Sequence, residues 1–99
     1  MGYGEYKAPK GVIKAEVELS GDRISRVLIS GDFFMYPEEA IEQLERVLVG
    51  VEADREKLLA VVRNFYDWSG VRTPAVRPEH WAEAILRAAR SKSRGGQLL

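Results

Sequence analysis

Between Gly11 and Leu19 apolar and charged residues alternate one by one: Ile13, Ala15, Val17 and Leu19 fall on one side, Lys14, Glu16 and Glu18 on the other. A period of two is that of a β-strand with one buried and one wet face. Ser20-Gly21-Asp22-Arg23 follows, and glycine and aspartate tolerate the backbone angles of a tight reversal. Residues 24–30 are then again β-branched and apolar, so the two segments form the arms of an antiparallel hairpin. A lone hairpin does not stand in water. Whatever else the chain forms must therefore cover the hairpin's apolar face.

Three helical patterns are available to do so. Pro37 suits a first helical position, with Glu38 and Glu39 complementing the helix dipole, and Ala40, Ile41, Leu44, Val47 and Leu48 form one apolar stripe. Gly50 is a stop signal. Asp54 can cap a second helix with Leu58, Leu59, Val62, Phe65 and Tyr66 along its inner face. Gly70 and the stretch from Thr73-Pro74 to Pro78 break it. Pro78 opens a third helix with Trp81, Ala82, Ile85, Leu86 and Ala89 inward.

The expected fold is α+β, an antiparallel β-hairpin covered by three α-helices, with room for a three-stranded sheet. The third strand has three candidate sources: residues 3–8, residues 71–76, or another protein. Residues 1–10, punctuated by two glycines and a proline, read as a flexible N-terminal arm. Residues 11–90 make the domain, and 91–99, polar and glycine-containing, read as a frayed tail.

At 99 residues the chain has the length of one domain that can bury a core without staples. It has no cysteine, which removes disulfides, thiolate nucleophiles and thiolate metal sites. Fifteen basic and fifteen acidic residues cancel, whereas nucleic-acid binders carry a basic excess. No apolar run approaches the ~20 residues that span a bilayer, and no apolar leader opens the sequence, so no membrane is expected and the cytoplasm is the expected location.

Catalytic chemistry is hard to place. The only histidine, His80, sits at a helix start beside Glu79 with no ligand spacing around it. Gly2, Gly4, Gly95 and Gly96 do not lie between a strand and a helix as a phosphate loop requires. Glu38 and Glu39 are accounted for by the first turn of their helix. Phe33, Phe34 and Tyr36 at a strand end could contact a partner protein or, less readily without a basic surround, nucleic-acid bases.

The stretch from Gly11 to Gly50 is more specific. The hairpin ends in Gly31-Asp32-Phe33-Phe34, is preceded by Lys7-Ala8-Pro9-Lys10-Gly11, and is followed by a helix that ends near Val49-Gly50. This ordered set resembles the C-terminal accessory domain of lipoate–protein ligases, over roughly residues 5–90. The layout is also similar to iron–sulfur scaffold domains, but their functional cysteines have no counterpart here.

The ligase resemblance implies a non-catalytic accessory subunit. With no room beside it for a catalytic domain, the chain is expected to pair with a separate catalytic subunit as a heterodimer, and to meet lipoyl-carrier proteins only indirectly. The assembled complex would use ATP, magnesium and lipoate to make lipoyl-AMP, with no cofactor held by this chain. Lys7 and Lys10 are the candidates for approaching phosphate, since lysines on a loose arm can reach its oxygens. Gly11, Gly31, Asp32, Phe33, Phe34 and Gly50 are the family-motif or interface candidates. Asp32 is expected to accept backbone N–H bonds that fix the turn, and Phe33 and Phe34 to divide between core and partner. The competing reading is a generic adaptor that adds a strand to its sheet edge.

Overall fold

The computed structural model describes residues 2–91. Three antiparallel strands, β1 (Gly2–Ala8), β2 (Gly11–Ser20) and β3 (Arg23–Asp32), form one sheet in the order β1-β2-β3. Three helices follow, α1 (Ala40–Leu48), α2 (Arg55–Ser69) and α3 (Pro78–Arg90). The α+β class and the helices over one sheet face are as the sequence indicates.

The central hairpin follows its pattern. Ile13, Ala15 and Val17 of β2 and Ile24, Val27 and Ile29 of β3 are buried, while Lys14, Glu16, Arg26 and Ser30 face outward. Ser20 pairs with Arg23 across a loop of Gly21 and Asp22, and Gly21 has φ +65°. A positive φ at the first loop position is the requirement of a type II′ turn, whose twist suits a hairpin. Leu19 departs from the expected alternation: a register shift between Glu18 and Leu19 interrupts the ladder, and Leu19 is 39% exposed near the hairpin tip.

Residues 2–10 are not a flexible arm. Gly2–Ala8 is a full edge strand, paired along its length with β2 from Gly2–Val17 to Ala8–Gly11. The third strand thus comes from this segment, while 71–76 contributes only an isolated bridge, Tyr36 with Arg72. Glycine is required in β1 because α3 lies on it almost backbone to backbone. A Cβ on Gly4 would stand 2.5 Å from the Ala88 nitrogen, and one on Gly2 would stand 2.0 Å from the Ala88 carbonyl oxygen. Alternation is present in β1, but two of its inward positions carry no side chain.

Helix α3 packs on β1 and β2, α1 packs on β3, and α2 lies against both helices. Sandwiched in this way, α3 buries Ala84 and Ala88 in addition to Trp81, Ala82, Ile85 and Leu86. Helix α2 is capped by Asp54, whose carboxylate accepts from the Lys57 N–H at 3.2 Å, and it ends at left-handed Gly70. Ion pairs clasp α2 to α3: Arg55 to Glu83 and Arg63 to Glu79. The bond from Arg55 holds the Glu83 carboxyl below its ordinary range. Helix α1 begins at Ala40 rather than at Pro37. Pro37 instead lies in a turn in which its carbonyl accepts the Ala40 N–H at 3.0 Å. The tail expected over 91–99 lies, except for Ser91, outside the described residues.

Gly4→Ala should destabilise the fold by about 1–3 kcal/mol, the usual cost of overpacking, because the new methyl meets α3 backbone rather than a yielding side chain. Urea unfolding measures it, and an unchanged midpoint would mean that α3 can lift off β1 freely.

Candidate functional site

The sheet has two ends of different character, and the residues singled out by the sequence fall on both. At one end the β1–β2 turn carries Pro9 and Lys10, and β3 leaves the sheet opposite Val12. Gly11 and Gly31 allow these segments to close on each other. A Cβ on Gly11 would be 2.4 Å from the Asp32 carbonyl oxygen, and one on Gly31, whose φ is +134°, would be 2.1 Å from the Val12 oxygen. Lys7 lies on the outer sheet face across from Val12, and Lys10 is exposed in the turn. Neither has an ion-pair partner among the described residues. Gly50 is at the other end of the sheet, where its N–H donates to the Ile24 carbonyl at 2.7 Å and its own carbonyl accepts from Arg23 at 2.9 Å. It anchors the exit of α1 to the start of β3 and does not join the other motif residues.

Asp32 does not fix the turn as expected. It is still in the ladder opposite Val12, so its carboxylate points to the outer face and bonds to no other described residue. The strand exit is held instead by the residues between Asp32 and Pro37. Phe33 turns inward and meets Trp81 edge to face, with centroids 4.9 Å apart. Met35 is buried, and Tyr36 exchanges two backbone hydrogen bonds with Arg72, at 2.9 and 3.0 Å. With 33 and 35 inward, 34 and 36 face out. Phe34 is 63% exposed and Tyr36 52%, their rings nearly parallel with centroids 6.4 Å apart. Beside them lies a cleft of ≈ 410 Å³ that includes Met35, Ile41 and Glu38 in its lining. Phe33 and Phe34 thus divide, one against the core and one to the surface.

Trp81, on which Phe33 rests, is itself fixed by a partly buried polar chain. Its indole N–H donates to the Tyr66 hydroxyl at 2.6 Å. Thr73 spends its single hydroxyl proton on the Val76 carbonyl at 2.7 Å, so the Tyr66 O–H donates to Thr73 at 2.5 Å. Burial pushes the Tyr66 phenol above its ordinary value and keeps that proton in place. Sequence reasoning placed Tyr66 on the inner face of its helix but not this chain, because Thr73 reads as loop punctuation until its partners are known.

A second cleft, of ≈ 250 Å³, opens between β1, α2 and α3 beside His80. Its charges are already matched: Glu83 lies between Arg55 and Arg87, and Glu79 faces Arg63. His80 accepts the Arg77 N–H on Nδ1 at 2.9 Å and stacks on Tyr6, which places it in the architecture of the helix start. No three acidic or histidine side chains come together to hold a metal among the described residues, and no described helix is long and apolar enough to cross a membrane.

The glycine-bordered strand exit is carried by the segment that comparison with known proteins picks out. The family described as the C-terminus of bacterial lipoate protein ligase matches residues 3–72, from β1 through the Tyr36–Arg72 bridge. The chain belongs to this family. It is similar to lipoate-protein ligase A subunit 2 of Thermoplasma acidophilum, 45% identical over 80 residues that cover 81% of this chain and 82% of that protein. It is also similar to a solved chain from the bi-partite lipoate protein ligase studied with its E2 lipoyl domain from the same organism. That likeness has a TM-score of 0.77 and 43% identity, covering 84% of this chain and 91% of the other. Within this ligase family the described residues show a braced domain with an outward-facing aromatic pair.

Removing the Tyr66 hydroxyl in Tyr66→Phe leaves the Trp81 N–H without its acceptor and Thr73 without its donor. The expected cost is about 1–3 kcal/mol. It should be accompanied by a change in tryptophan fluorescence, and unaltered stability and spectrum would show that the chain of bonds braces nothing.

Proposed function

We propose that the chain is the accessory subunit of a two-chain lipoate–protein ligase, acting in the cytoplasm with a separate catalytic subunit in the ATP-dependent activation of lipoate to lipoyl-AMP. One observation carries this reading. The chain matches four-fifths of a protein that is itself a numbered subunit of such a ligase, with similar coverage on both sides. In the proposed reaction the lipoate carboxylate attacks the ATP α-phosphorus, pyrophosphate leaves, and the lipoyl group later passes to a lysine of a carrier domain with release of AMP. ATP, magnesium and lipoate are held by the catalytic subunit.

What this chain brings is position. Adenylation gains from exclusion of water and from alignment of acid and nucleotide, and a second subunit closing over the cleft supplies both. Lys7 and Lys10 lie at the glycine-bordered end of the sheet, exposed and free of ion pairs among the described residues. At closure they approach phosphate oxygens and stabilise the charge leaving as pyrophosphate. A generic adaptor that adds a strand is less well supported, because the β3 edge is occupied in two places. Ile24 is bonded to Gly50 and Val51, and the Ile29 N–H donates to Glu45 at 2.8 Å.

Pyrophosphate release dependent on ATP and lipoate, measured with the catalytic subunit in the presence and absence of this chain, tests the reading. Strong release should require both chains, and equal release from the folded catalytic subunit alone would end it. The Lys7→Ala/Lys10→Ala double variant should lower release by roughly a hundredfold while still forming the complex, the order seen when a charge-stabilising donor is removed. Unchanged release would remove the two lysines from the site.

A further inference from the structure

Resting on the two-subunit reading, we propose that the catalytic subunit docks on the Phe34–Tyr36 face, through a segment that presents an arginine beside an apolar side chain. Phe34 and Tyr36 are the most exposed aromatic residues of the strand-exit loop, and the loop that carries them is held from both sides. Phe33 lies on Trp81, Met35 is buried, and Tyr36 is bonded through its backbone to Arg72. Large rings held outward by a braced backbone lose little freedom on binding, which is what distinguishes an interface anchor from an ordinary exposed side chain.

The chemistry of the occupant comes from the cleft beside the rings. Met35 and Ile41 line it with apolar surface, which accepts an aliphatic or aromatic side chain. Glu38 also lines it and has no ion-pair partner among the described residues. An unpaired carboxylate lining the same cleft as two exposed rings fits a guanidinium, which stacks on an aromatic face and pairs with a carboxylate through its planar fork. Strand addition does not compete easily here. Besides the occupied β3 edge, Arg87 covers part of the β1 edge by donating to the Glu5 carbonyl at 2.9 Å. The outer sheet face carries Tyr3 and Leu28, but they flank Glu16 in a row between charged neighbours, the pattern of a solvated surface.

The test is titration calorimetry of the full chain against its ligase catalytic subunit, using wild type, Phe34→Ser, Tyr36→Ser, Glu38→Lys and, as a control on the outer face, Leu28→Ser. Thermal melts establish that each variant folds. The two aromatic variants should each weaken binding at least about tenfold. Glu38→Lys should weaken it most at low salt, and Leu28→Ser should leave it unchanged. Wild-type binding that survives both aromatic substitutions overturns the docking surface and leaves the two-subunit reading intact. Weakening confined to Leu28→Ser overturns it in favour of the outer face. No binding by the wild-type chain overturns the two-subunit reading, and the docking surface with it.

Discussion

The approach of α3 to β1 is the contact on which the other parts depend. A three-stranded sheet with a single covered face has little apolar area to spare, and its first strand is an edge. Gly2 and Gly4 let the helix backbone come to within van der Waals distance of the strand backbone. Ala84 and Ala88 continue the close packing from the helix side, both fully buried. The closeness brings Arg87 onto the Glu5 carbonyl and over the Tyr6 ring, with its guanidinium 5.0 Å from the centroid. It also settles the depth at which Trp81, near the start of the same helix, enters the core.

From Trp81 the constraint passes to the strand exit. The indole is held by Tyr66, Thr73 and the Val76 carbonyl, and Phe33 packs against it edge to face. Once Phe33 is inward, the extended backbone forces Phe34 outward, and the burial of Met35 does the same for Tyr36. The exposed aromatic pair is therefore a consequence of core packing rather than of loop composition. The opposite end of the sheet has no such display. There Gly50 and Val51 pair with Ile24 and close the β3 edge with the chain's own backbone.

Much of this was legible in the sequence, and the exceptions have physical causes. The β2–β3 hairpin and the inner faces of the helices were legible because large apolar side chains mark each period. β1 was legible only as one of three candidate sources of a third strand, since its inward positions include two glycines and glycine ordinarily signals a loop. Only the position of Ala88 shows why they are there. Pro37 reads as a first helical residue, but the pairing of Tyr36 with Arg72 holds it in a turn ahead of the helix. Asp32 has the composition of a turn-fixing residue, but its place in the ladder turns its carboxylate away. The division of Phe33 and Phe34 was expected with the ligase resemblance, whereas which of them turns inward is decided by Trp81. Gly50 shares a motif with Gly31 in sequence and stands at the other end of the sheet in space.

One way a subunit changes a rate is through how it binds its partner. Binding accelerates a step only if the favoured state of the partner is bound more tightly than the others, because equal affinity for all states shifts no population. The architecture suits that demand. A loop ordered by Trp81, Met35 and Arg72 before any partner arrives has little conformational entropy left to lose, so more of the interaction energy remains to discriminate between partner states. A flexible arm carrying the same two rings would bind several arrangements of the partner nearly alike and would select among them poorly. The largely buried chain from Trp81 through Tyr66 to Thr73 thus braces the display from beneath. Through Phe33 it holds in place the loop that carries Phe34 and Tyr36.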